Sequence, residues 1–372
     1  MKITDVEPIV LRVPEVDVSR ADGTQDAFLV RVHTDEGVTG IGEADTSPYV
    51  ARTMVEMPSS HAVARGLREL LVGESPLDVG RLWQLMFHGS DHYGRGGAAL
   101  HTISAIDMAL WDIAGKIAGV SVAELLGGRR AESVRVYASE VMPETPAGAR
   151  AIAERAVERG YTALKLGWGP LGRDREHDVA LVEAARAAVG EEPELMIDGG
   201  RAYTVESALD LLHAVEAARL YWFEEALQPD DVEGYALLSA RSPVRLAAGE
   251  ADAGIMPFRA LAERGGIAVL QPDLGRCGGF TVARQIAELA RERGVEVVPH
   301  CFSSGVLVAA SLQFVASLDH PTFSEFSVAD SPIASGLLAE PFVLRDGRLD
   351  VPRGPGLGVE LDEELVDGLR AR

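Results

Sequence analysis

Asp198, Glu224 and Glu250 stand 26 residues apart, and each closes a short apolar run: ELMID, LYWFE and RLAAGE. That interval holds one strand, one helix and two short loops, so three successive parallel strands would each end on an acid. Three hard oxygen ligands converging on one mouth suit magnesium. The same reading extends along the chain. The run ALKL carries Lys165, IAVLQPD ends on Asp273, VEVVPH on His300, and TFSEF carries Glu325. A lone carboxylate is ordinarily a solvated or salt-bridged charge. Seven polar groups on consecutive strands point instead to a shared site, because residues of one parity on a strand face one side. Gly167 and Gly200 share the directions of Lys165 and Asp198 and leave open space there.

The elements that must carry these groups are eight apolar runs beginning near residues 134, 163, 194, 220, 244, 267, 295 and 322. Amphipathic segments such as EHDVALVEAARAAVG lie between them, which predicts a (β/α) barrel with its site at the carboxyl ends of the strands. A doubly wound sheet would not bring so many strand ends around one mouth. Before the barrel, residues 1 to 45 read as a three-stranded antiparallel meander, with a polar, glycine-bearing loop at 16 to 26 that is either a plain connection or a lid. From Tyr49 the period is helical, and Leu100, Ile103, Ile106, Leu110 and Ile113 mark one buried face. The expected organisation is an α+β capping domain over 1–128, a catalytic barrel over 129–330, and a segment over 331–372 returning to the cap.

Thirty-five basic against fifty-seven acidic residues leave a net charge of −22, which repels phosphate backbones and anionic membranes. Nucleic acid and lipid are therefore poor partners, and an anionic substrate needs a local cation to receive it. Two cysteines are too few for a disulfide framework, the opening residues hold no apolar stretch of signal-peptide length, and no eighteen-residue apolar run occurs. The expectation is a cytoplasmic protein.

Taken together, GxGE at Gly40 to Glu43, AIDMALWDIAGK at Ala105 to Lys116 and the strand-end residues resemble the enolase superfamily, mandelate racemase subgroup, over nearly the whole chain. The resemblance implies a modified (β/α)8 TIM-type barrel, (β/α)7β, under an N-terminal α+β cap, and a small anionic carboxylate as substrate. It implies Mg2+ on Asp198, Glu224 and Glu250, a catalytic dyad of Asp273 and His300, and Glu325 contacting the substrate. Symmetric homo-oligomers are common in the family. Enolase-superfamily sites are a standing example of a Lys or His base working with magnesium on an enediolate. On that chemistry His300 is the base and Asp273 holds its second nitrogen. Glu325 would have to be protonated to donate to the substrate carboxylate. Lys165 is either a second acid or base, its pKa depressed by the cation, or a charged clamp.

Lys165 falls on the first lysine of the family's KxK, and Gly167 replaces the second. That disfavours a two-base racemase and favours dehydration of an acid sugar to a 2-keto-3-deoxy acid, with an epimerase, racemase or cycloisomerase as the alternative. Gly200 stands where some relatives place a general-acid histidine, so His300 would return its proton to the leaving hydroxyl. Arg173 and Arg201 are candidates to grip a distal carboxylate, with a solvated surface role equally open. Tyr49 and the stretch His88 to Gly97 are candidates to line the pocket from the cap, although for His88 and His92 a surface turn is the plainer expectation.

Overall fold

The cap is built on contact too close for side chains. In the computed structural model, which describes residues 1–19 and 23–371, an antiparallel meander runs β1 (Ile3–Arg12), β2 (Asp26–Thr34) and β3 (Thr39–Ala44). The helix Ala98–Ala118 lies on β3, and Cβ atoms at Gly40 and Gly42 would stand 2.0 Å from the carbonyl oxygens of Ala109 and Ala105. The two glycines of GxGE are thus docking residues. A Gly42→Ala variant is expected to lose about 3 kcal/mol or more of stability, read by calorimetry, because the added methyl meets helix backbone, which cannot swing aside as a side chain can.

Glu43, fully buried, extends from the same strand across to the barrel. Its oxygens accept from the hydroxyls of Ser303 and Ser304, both at 2.6 Å, and from the Leu307 N–H at 2.8 Å. These donors lie at the start of the helix Gly305–Ser317, where a carboxylate complements the unpaired N–H groups. Burial pushes the Glu43 pKa up, and those donors oppose it.

The eight barrel strands are β4 (Ser133–Val141), β5 (Ala163–Gly167), β6 (Glu194–Asp198), β7 (Phe223–Glu224), β8 (Leu246–Ala248), β9 (Val269–Leu270), β10 (Glu296–Val297) and β11 (Phe323–Ser327). All are parallel, in the order β10-β9-β8-β7-β6-β5-β4-β11. Each strand, or a residue flanking it, gives one side chain to a plug inside the barrel: Tyr137, Ala163, Met196, Trp222, Ala247, Val269, Val298 and Phe323. This is the filled interior expected of an eight-strand barrel, and it floors the site above. Among the described residues no backbone ladder joins β10 to β11. The Cys301 N–H donates instead to Glu325 Oε2 at 2.7 Å across that seam.

The last segment touches both bodies. β12 (Arg348–Asp350) pairs antiparallel with β4, and the Leu357 N–H donates to cap residue Asp112 at 2.8 Å. Arg370 then bridges to Leu11 and Glu7 on β1. The expected loop at 16 to 26 is described only in part: Ser19 and Gly23 flank residues 20–22, which lie outside the described residues. No described helix is long and apolar enough to cross a membrane.

Candidate active site

Strand register puts the acids side by side. Gly167 pairs with Asp198, and Asp198 with Glu224, so the three form one row at the carboxyl ends of β5, β6 and β7. Glu250 arrives differently. β8 ends at Ala248, and Gly249 with φ +123 re-aims the chain, a conformation closed to ordinary L-residues. A ligating oxygen from each of Asp198, Glu224 and Glu250 lies within 4.8 Å of the others, and all three residues are buried. Burial, then repulsion from Glu224 and Glu250, pushes Asp198 well above the usual carboxylate range. Burial also raises Glu224 against the pull of Lys165. Glu250 goes down, because His300, Lys165, Arg276 and Arg201 outweigh its burial. Three buried carboxylates repelling one another at this separation fit a divalent cation.

Glu224 is held on both oxygens. Lys165 Nζ donates to Oε1, while Trp222 Nε1 at 2.9 Å and Gln271 Nε2 at 2.6 Å donate to Oε2. Lys165 Nζ also stands 2.9 Å from Glu325 Oε1. The neighbouring carboxylates overcome the desolvation of Lys165 and raise its pKa well above that of free lysine. A divalent ion sharing Glu224 would pull it the other way. Glu325 departs from the expected neutral acid: Lys165 and His300 outweigh its burial and hold its pKa down at about 2, so in these surroundings it is an ionised acceptor.

His300 Nδ1 lies 2.6 Å from Asp273 Oδ2, whose other oxygen accepts from the Gly275 N–H at 2.6 Å. His300 Nε2 sits 3.4 Å from Glu250 Oε2 and 3.9 Å from Glu325 Oε2. Burial disfavours its charge, but Glu250, Glu325 and Asp273 prevail and lift its pKa to about 10.

A cavity of about 200 Å³ opens over these groups, lined by Lys165, Asp198, Glu250, His300 and Glu325 together with Asp45, Trp168, Arg276 and Phe302. Glu224 and Asp273 stand behind that wall. Gly167 lines this cavity, but neither glycine leaves room for a side chain of its own: a Cβ on Gly167 would meet the Asp198 Cβ at 2.3 Å, and one on Gly200 would meet the Trp168 ring at 3.3 Å.

Tyr49 and Arg173 do not line the cavity. Tyr49, 39% exposed, lies under the Arg52 guanidinium, and Arg173 reaches out to Glu144 at 3.6 Å. Arg201 is behind the acids, bonded to Glu225 and Glu250 rather than open to a substrate. His92 meets His61 at 3.1 Å on the cap surface. Sequence reading missed an arginine that does face the cavity. Arg276 binds Asp45 Oδ2 at 2.7 Å and the Glu250 carbonyl at 3.1 Å, tying cap to barrel beside the dyad. It also missed Gln271, although that residue shares the inward parity of Val269 and Asp273.

Residues 148–365 match the Enolase C-terminal domain-like family, and residues 2–127 match the Mandelate racemase / muconate lactonizing enzyme, N-terminal domain. The chain is 33% identical over 387 residues to a D-galactarolactone cycloisomerase of Agrobacterium fabrum, covering 100% of this chain and 99% of the relative. It is 34% identical over 354 residues to a D-galactonate dehydratase of Ralstonia nicotianae, covering 91% and 90%. A crystal structure of a racemase from Streptomyces coelicolor A3(2) with bound magnesium superposes with a TM-score of 0.88 at 30% identity, covering 99% of this chain and 100% of that one. With both domains matched and the acids, the dyad and the lysine gathered at one barrel mouth, the chain belongs to the enolase superfamily, in its mandelate racemase subgroup.

Proposed function

We propose that the protein removes the proton α to the carboxylate of a sugar acid and expels the β-hydroxyl as water, giving a 2-keto-3-deoxy acid. The observation that carries this reading is the Asp273-held imidazole facing the cluster of Asp198, Glu224 and Glu250 across one small cavity. Those three acids would hold Mg2+, which when bound supplies Lewis acidity for the charge that gathers on the substrate carboxylate.

The rest falls to side chains. Lys165, kept charged between Glu224 and Glu325, offers its ammonium to the same carboxylate. Asp273 fixes His300 with Nδ1–H turned away, so Nε2 takes the α-proton. The C–H electrons form an enediolate, which collapses to break the β C–O bond. His300 returns its proton to the departing hydroxyl, water leaves, and the enol tautomerises to the ketone. Trp168 covers Gly200, where a separate acid would otherwise stand.

The likeness to a cycloisomerase favours a second reading with the same first step, in which a ring oxygen on the β-carbon leaves instead of a hydroxyl. Mass spectrometry separates the two. A panel of aldonates, lactones and anhydro acids is incubated with magnesium chloride in heavy water. A keto product lighter by one water supports dehydration, and an isomeric keto product supports cycloisomerisation. Deuterium in recovered substrate with no keto product would replace both readings with epimerisation.

A further inference from the structure

Behind the acidic trio, an arginine and a glutamate form a brace that the reaction itself does not use. Arg201 and Glu225 both hold positive φ, +63 and +39, an uncommon conformation for side-chain-bearing residues and one that clusters at functional sites. They are bound to each other twice, through the Arg201 N–H to the Glu225 carbonyl at 2.7 Å and through Arg201 Nε to Glu225 Oε2 at 3.1 Å. From there both reach the end of β8. Glu225 Oε1 accepts from the Gly249 N–H at 2.9 Å, and Arg201 Nη2 donates to Glu250 Oε1 at 3.0 Å. The Trp168 ring covers the guanidinium at 5.3 Å. Glu250 is the one acid that no strand register places, since β8 has already ended.

We propose that Arg201 and Glu225 are positioning residues that fix the rotation of the Glu250 carboxylate and so set the affinity of the acidic trio for a divalent cation. The proposal rests on the magnesium reading above. The fork of a guanidinium can hold two carboxylates at once in fixed directions, which a lysine ammonium on a flexible stem cannot. Geometry and charge predict opposite signs. A cation beside a metal site repels the metal, so if charge alone mattered, removing it would tighten binding. If orientation matters, removing it loosens binding.

The test titrates magnesium chloride into metal-free wild type, Arg201→Lys, Arg201→Met and Glu225→Gln by calorimetry, with tryptophan fluorescence in parallel, since Trp222 donates to Glu224 at 2.9 Å. Circular dichroism of each metal-free variant checks the fold. All three variants are expected to bind magnesium about 10–100-fold more weakly, the usual cost of losing a partner of a metal ligand. Should Arg201→Met not fold, Arg201→Lys carries the test, because it keeps the charge and loses the fork. Wild-type affinity in Arg201→Lys, or tighter binding in Arg201→Met, overturns the proposal. A wild type that binds no magnesium overturns the magnesium reading itself, a separate outcome seen before any variant is compared.

Discussion

A His300→Asn variant is expected to lose about 10²–10⁴-fold in turnover, the contribution of a positioned acid–base group, and to stop exchanging the substrate α-proton with heavy water. Both effects come from one side chain, because His300 is assigned both the removal of the proton and its return. Its setting is specific to that work. Nδ1 is engaged by Asp273 at 2.6 Å, which leaves Nε2 as the nitrogen open to the cavity. Asparagine keeps a polar group of modest size at the position and removes the titrating ring. Asp273→Asn should act through the same ring, since it withdraws the carboxylate that stabilises the imidazolium. The pKa of His300, lifted to about 10 with Asp273 among the causes, would then fall. A base works unprotonated, so the rising limb of kcat/KM against pH should move to lower pH while its plateau drops. Product release from His300→Asn at the wild-type rate would remove the histidine from the mechanism.

The second large effect concerns stability. Lys165→Met should destabilise the metal-free protein by about 3–5 kcal/mol, the range for stripping one partner from a buried ion pair. Lys165 is the ammonium shared by Glu224 and Glu325, both fully buried. In the wild type, Glu325 is held down at about 2, below the unfolded value, so its contribution is present at neutral pH and is lost only as the pH falls through that folded pKa. Without the ammonium, His300 and the hydrogen bonds from Ser139 and Cys301 are left against burial, so the Glu325 pKa rises and the stability it lends at neutral pH shrinks. The loss of stability on acidification should then be smaller in the variant than in the wild type. Denaturant melts at two pH values read this directly, and Lys165→Met with Glu325→Gln should recover part of the loss. A single variant as stable as wild type at neutral pH would show that the pair does not bear on folding.

Where the sequence was legible, it was because strand parity and chain spacing are local rules. Asp198, Glu224, Asp273 and His300 each stand at an inward position at or just past a strand end, Glu325 stands at one within β11, and the 26-residue interval follows from the length of a βα unit. Glu250 stands in the cluster as expected, although the positive φ of Gly249 and not strand parity brings it there. Reading failed elsewhere, where the backbone leaves those rules. Arg201, itself at positive φ, turns back toward Glu225 and the acids instead of outward to a substrate. The glycines at 167 and 200 suggested room, because a sequence shows a missing side chain and not the neighbour that takes its place. Asp45 and Arg276 escaped notice for a related reason. One belongs to the cap and the other to a loop after β9, and only the packed molecule brings them within 2.7 Å.

The join between the seventh and eighth staves of the cylinder has a consequence of its own. Because Glu325 latches Cys301 over a gap where no main-chain ladder runs among the described residues, one side chain both lines the cavity and serves as its hasp. Any descendant that trades it for different chemistry must find another fastener, so this site is less free to diversify than its neighbours around the rim.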